Sequence, residues 1–244
     1  MSTYSIFALR VFSIALFLIF AGQDQLFGQQ TRPGPPDPLR FEEEIAEFEA
    51  WDAKNTSPEN ALLFTGSSSI RFWNTADSFP GYSVINRGFG GSQISDMLHY
   101  YDQIIGRYSP SLIILYCGEN DIASGKAIYH VFEDYLGLLE QINRDYPQTP
   151  VLFISIKASS SRLDQTERFA AFNRMVQAHS RTSRLLFYAD LASPLSKNGR
   201  PDDSYYREDL LHLNDRGYEL WNERFGAFLA QLEENGVFTL RRDE

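Results

Sequence analysis

Four short segments of this 244-residue chain carry residues that could do chemistry together. They read Gly66-Ser67-Ser68-Ser69, Asn86-Arg87-Gly88-Phe89-Gly90-Gly91, Gly118-Glu119-Asn120-Asp121 and Asp209-Leu210-Leu211-His212. A hydroxyl, a glycine turn, a side-chain amide and an Asp/His pair are the inventory of acyl transfer. A serine hydroxyl is a weak nucleophile until a base takes its proton, and imidazole titrates in the range to do so. That base needs a carboxylate on its second nitrogen to fix the tautomer and stabilise the imidazolium. Asp209 lies three positions before His212, a reach that a tight turn closes. A tetrahedral intermediate also needs hydrogen-bond donors for its oxyanion. Gly91 permits close approach of backbone, and Asn120 offers an NH2 group.

These groups act only if a scaffold gathers them. Near-continuous apolar runs occupy 61–65, 82–85, 112–116, 151–156 and 185–188. Helical spacing appears between and around them: Phe41, Ile45, Phe48 and Trp51 form one stripe. Others are Ile94, Met97, Leu98, Tyr101, Ile104 and Ile105; Ile128, Val131, Phe132, Tyr135 and Leu139; Phe169, Phe172 and Val176; and Tyr218, Trp221, Phe225, Phe228 and Leu232. Strands without alternation are buried on both faces. The pattern therefore predicts an α/β fold, a three-layer α/β/α sandwich around a five-stranded parallel sheet. Ligands in such folds bind beyond the carboxyl ends of the strands. The first three chemical segments follow the first three runs, and the Asp/His pair follows the fifth. All four map to one edge.

In order and content, the four segments resemble the conserved blocks of the SGNH/GDSL hydrolases, esterases and lipases with a flavodoxin-like sandwich. The likeness covers nearly all of residues 60–232. Matching Gly66-Ser67-Ser68 to the family's Gly-Asp-Ser block implies that Ser68 is the nucleophile, a register that Trp73 after the turn favours. Ser69 stands one residue from the same role. The second block implies an oxyanion glycine at Gly91, and the Gly-x-Asn-Asp block implies the oxyanion amide at Asn120. The Asp-x-x-His block implies catalytic roles for Asp209 and His212, with the Ser68 N–H as a further oxyanion donor. Two positions depart from the pattern: Ser67 replaces the usual aspartate, and Leu210 stands where glycine is common. The resemblance implies a serine ester hydrolase acting on short-chain esters, acetyl groups on carbohydrates or lysophospholipids. A non-catalytic carbohydrate- or lipid-binding module on the same fold is the alternative.

Other features narrow the reading. A net charge of -10 with no basic cluster argues against a nucleic-acid partner. No Walker motif, dinucleotide fingerprint, His-Glu-x-x-His or cysteine pair occurs, so we expect neither cofactor nor metal. Cys117, the one cysteine, follows an apolar run and reads as a buried structural residue. His99, His130 and His179 read as surface or packed side chains, and Asp121 as a tie for its own loop. Lys157 and Arg162 follow the fourth strand and could border a pocket. At the N-terminus, Arg10 precedes an apolar run at 11–21, too short to span a ~30 Å hydrocarbon core but suited to a secretory signal. We expect export to the periplasm or exterior, with residues 1–28 as signal peptide or uncleaved tether. A proline-rich linker would span 29–38, one hydrolase domain 39–238, and a tail 239–244.

Overall fold

The computed structural model describes residues 34–238. The expected signal segment, the first part of the proline-rich stretch and the tail at 239–244 lie outside the described residues. Among those described, no helix is long and apolar enough to cross a membrane. The proline-rich stretch ends sooner than its composition predicts. Asp37 caps a 3-10 turn at Pro38–Phe41 through the Leu39 N–H, and the Tyr100 hydroxyl donates to the Pro38 carbonyl.

The strands of the main sheet are β1 (Ala61–Gly66), β2 (Val84–Gly88), β3 (Pro110–Tyr116), β4 (Val151–Ile154) and β5 (Leu186–Ala189). They form one parallel sheet in the order β2-β1-β3-β4-β5. This is the expected five-stranded parallel sheet, in a doubly wound order that reverses beside β1. Every residue of β1 is buried, as a central strand covered on both faces must be.

The helices are α1 (Glu42–Asp52), α2 (Ser68–Arg71), α3 (Thr75–Ser78), α4 (Ile94–His99), α5 (Glu119–Ala123), α6 (Ile128–Asp145), α7 (Thr166–Ser180) and α8 (Asp215–Glu234). On one face, α8 sets Phe225 against Phe64 and Trp221 against Tyr116, both at 5.5 Å between ring centres. On the other, Phe153 meets Tyr135 of α6 at 5.4 Å and Phe172 of α7 at 5.9 Å. Such aromatic pairs add about 0.5–1.5 kcal/mol each beyond the area they bury.

Two helical expectations need correction. Trp51 is 52% exposed instead of buried, because the end of α1 docks through charge. Asp52 pairs with Arg87 and accepts from the Tyr108 hydroxyl at 2.6 Å, while Trp51 rests 5.3 Å from the Arg87 guanidinium. The helix expected through Ile105 breaks after His99 into a π-helical turn at Asp102–Gly106. That wider turn keeps Tyr101, Ile104 and Ile105 all buried.

Gly66 joins the sheet to the chemistry. Its φ is +140°, and a Cβ there would lie 2.0 Å from the Tyr116 carbonyl oxygen on β3. Neither backbone can yield, since the Ser67 N–H donates to that same carbonyl at 3.0 Å. Gly66→Ala should therefore destabilise the domain by about 4 kcal/mol or more, among the largest single-substitution effects. Chemical denaturation measures it, and a loss below about 1 kcal/mol would contradict this packing.

Candidate active site

The sheet edge does gather the four segments. β1 ends at Gly66, Ser67 remains extended, and Ser68 is the first residue of α2. That turn projects the Ser68 hydroxyl outward. Its Oγ lies 3.1 Å from Nε2 of His212. Ser69, the competing register, is 2% exposed, and its carbonyl accepts from the Tyr218 hydroxyl. Ser67, at the family's aspartate position, is also buried at the strand end.

His212 sits in a turn that its own sequence closes. Asp209 Oδ1 accepts from the Leu211 and His212 backbone N–H groups, both at 2.9 Å. Its Oδ2 takes His212 Nδ1 at 2.6 Å. The Arg207 N–H donates to the His212 carbonyl at 2.8 Å, which completes the loop. Leu210 holds this turn at φ +53°, so it adopts the left-handed conformation that glycine would take. The strain is roughly 1–2 kcal/mol for a residue with a Cβ. The departure from the family pattern thus leaves the turn intact. Just beyond, Asn214 caps α8 by accepting from the Gly217 N–H, and its amide donates to the Ser204 and Tyr206 carbonyls. Phe72 packs edge-on against the imidazole at 5.0 Å.

With Asp209 accepting at Nδ1, His212 carries its proton there and presents a bare Nε2 to the serine. Partial burial pulls the Asp209 carboxyl up. Hydrogen bonds from the His212 side chain and from the two backbone N–H groups outweigh it and hold the carboxyl at about 2. Asp209 therefore stays ionised throughout the range in which an imidazole titrates.

Across the serine, Gly91 follows β2 at φ +79°, and Asn120 begins the second position of α5 after Gly118 turns at φ +114°. Among the described residues, the Ser68 and Gly91 N–H groups make no hydrogen bond to the protein. Asn120 Nδ2 donates to the Ser92 carbonyl at 3.0 Å, which occupies one of its two hydrogens. Ser68, Gly91, Asn120 and His212 line one cavity of about 310 Å³, with Arg71, Phe72, Glu119, Lys157 and Arg162.

Lys157 and Arg162 do border this pocket, and both meet a residue that the sequence reading passed over. Glu119 Oε2 accepts from the Tyr116 hydroxyl at 2.5 Å and from Lys157 Nζ at 3.2 Å, while Oε1 accepts from Arg162 at 3.0 Å. Glu119 is visible beside Asn120, but its two cationic partners stand 38 and 43 residues away. Asp121, as expected, ties its loop: it accepts from the Ile94 N–H and from Lys126 Nζ, and burial pushes its carboxyl up to about 6.

The remaining candidates fall outside the site. Cys117 is buried, and burial raises its thiol far from the thiolate range. His99 is exposed, and His130 pairs with Glu133 at 2.8 Å. His179 lines a separate cavity with Leu139, Tyr146 and Leu186, and burial lowers its pKa. No cluster of metal-ligating side chains occurs among the described residues.

Comparison with known proteins supplies the family and the fold. Residues 67–220, more than half of the chain, match the GDSL-like Lipase/Acylhydrolase family. No curated protein sequence matches. Among solved structures, one from Streptococcus pneumonia, provisionally described as a platelet activating factor, superposes with a TM-score of 0.71. It is 22% identical and covers 78% of this chain and 94% of its own. A GDSL-like lipase from Bacteroides thetaiotaomicron VPI-5482 gives 0.68 at 16% identity, covering 77% and 97%. An acetylxylan esterase from Geobacillus stearothermophilus gives 0.57 at 11% identity, covering 75% and 99%. These structures share the fold. The chain belongs to the GDSL-like lipase/acylhydrolase family and is an ester-hydrolysing enzyme.

The depressed Asp209 carboxyl makes a prediction about stability. A group whose folded pKa lies below its unfolded value, near 4, stabilises the fold above that value. The contribution disappears as pH falls from about 4 towards 2. Asp209→Asn should melt below the wild type at pH 7, and the gap should narrow below pH 4 and close only near pH 2. A gap independent of pH would contradict the hydrogen-bonded carboxylate.

Proposed function

We propose that the enzyme removes short acyl groups, acetyl foremost, from polar carbohydrate alcohols through an acyl-enzyme on Ser68. The observation that carries this reading is the Ser68–His212–Asp209 chain, with hydrogen-bonding distances of 3.1 and 2.6 Å. His212 Nε2 takes the Ser68 proton as Oγ bonds to the ester carbonyl carbon. The carbonyl oxygen becomes an oxyanion facing the Ser68 and Gly91 N–H groups and the second Asn120 Nδ2 hydrogen. As the intermediate collapses, the C–O bond to the alcohol breaks and His212 returns its proton to that oxygen. Water then attacks the acyl-enzyme with His212 again as base, releasing the acid and restoring Ser68.

Size and polarity support the substrate class. A cavity of about 310 Å³ lined by Glu119, Lys157 and Arg162 suits a small acyl group. A fatty chain would have to displace water from these charges without replacing its hydrogen bonds, which is costly. This argues against a lysophospholipid. The solved acetylxylan esterase on the same fold adds weight to a carbohydrate ester. The apolar run at 11–21 supports export, which mass spectrometry of the mature N-terminus from the native host tests.

Steady-state kinetics on 4-nitrophenyl esters should show kcat/KM falling at least about tenfold from acetate to octanoate. Asp209→Asn should lower kcat by about 10⁴, the cost of losing the correct imidazole tautomer. Equal or better turnover of octanoate would overturn the short-acyl reading. Acetylated xylan hydrolysed no faster than a lysophospholipid would overturn the carbohydrate one.

A further inference from the structure

Asn120 is held at both ends of its amide. Nδ2 donates to the Ser92 carbonyl at 3.0 Å, and Oδ1 accepts from an Arg162 terminal nitrogen at 3.0 Å. The two contacts define which end of the amide is NH2, since a flip would set two donors against each other and two acceptors against each other. They leave one Nδ2 hydrogen for the cavity. Arg162 cannot wander either, because its other terminal nitrogen donates to Glu119 Oε1 at 3.0 Å. Glu119 is fixed in turn by Tyr116 and by Lys157, which is 1% exposed. One carboxylate thus serves two cations, and the group keeps one net positive charge beside Asn120.

We propose that Arg162 is a positioning residue for the oxyanion site: it orients the Asn120 amide and polarises it, and the shared Glu119 leaves uncompensated positive charge there. This rests on the oxyanion role given to Asn120 above. A charged donor on Oδ1 draws electron density from the amide nitrogen and strengthens the opposite N–H as a donor. The gain falls on the transition state, because negative charge collects on the substrate oxygen only there. Arg162 follows β4 in a 3-10 segment and sits at φ -129°, ψ 34°, outside helical geometry, where its side chain reaches the first two residues of α5. Arg162→Gln should fold, since Glu119 keeps Lys157 and Tyr116 as partners.

The test is a double-mutant cycle on acetate-ester hydrolysis with Arg162→Gln, Asn120→Ala and both together, each variant checked by thermal melting. Asn120→Ala should lower kcat by about 10²–10³. Arg162→Gln should lower kcat by about tenfold or more with KM within about twofold. The double variant should be no slower than Asn120→Ala within about threefold, because Arg162 then has nothing to position. Arg162→Lys should recover part of the loss, as an ammonium keeps the charge but cannot span Glu119 and Asn120. Effects that multiply, or a rise in KM alone, would overturn the proposal and leave the oxyanion assignment standing. A fully active Asn120→Ala would overturn both.

A readout without turnover separates the two further. In Ser68→Ala protein, NMR should show distinct, exchange-protected Asn120 side-chain NH2 signals that collapse towards free-amide behaviour with Arg162→Gln. Unchanged signals would overturn the positioning role whatever the kinetics.

Discussion

The proposed serine chemistry depends on one distance that the chain must create across 144 residues, the 3.1 Å between Ser68 Oγ and His212 Nε2. Neither partner is built at a flexible tip. Ser68 begins a helical turn locked behind Gly66, where β1 and β3 approach too closely for any Cβ. His212 is held from the other side by a turn folded onto Asp209 and by the capped start of α8. The aromatic contacts of α8 with Phe64 and Tyr116 then fix that helix to the sheet on which Ser68 is mounted. A rigid sheet edge and a docked C-terminal helix thus set the distance. This is the arrangement that preorganisation requires, since misplacement by about 1 Å can cost on the order of 10² in rate.

Charge is concentrated at the same edge for a different reason. Burying Lys157 and Glu119 costs desolvation energy that a well-packed apolar pair would avoid, so the pair is a poor device for stability alone. The cluster defines a small, polar cavity floor and sets the donor direction of Asn120. It also makes that floor locally cationic in a chain of net charge -10. An anionic intermediate gains from such a field more than a neutral ester does.

Much of the fold was legible because parallel strands buried on both faces leave unbroken apolar runs, and all five runs became strands. The candidate site residues could be singled out because three of their segments directly follow strand ends, where the topology sends ligand contacts, and the Asp/His pair comes after the last strand of the sheet. Less was visible wherever the deciding contact was distant or electrostatic. Trp51 fits an apolar stripe, yet the Asp52–Arg87 pair determines how that end of α1 docks. Three adjacent serines share one composition, and the start of α2 decides which hydroxyl faces His212. Glu119 looked like an ordinary acidic neighbour of Asn120 because its cationic partners come from beyond β4. Leu210 broke a pattern without breaking the turn, since the backbone accepts the left-handed strain.

The central claim is that Ser68 is an activated nucleophile, and covalent trapping tests it most directly. The full chain would be treated with a fluorophosphonate and digested, and the adduct located by tandem mass spectrometry in wild type, Ser68→Ala and Ser69→Ala. The account predicts one phosphonylated serine, Ser68, labelled equally in Ser69→Ala and absent in Ser68→Ala. Folded wild-type protein that takes no label, or an adduct on Ser69, would contradict it.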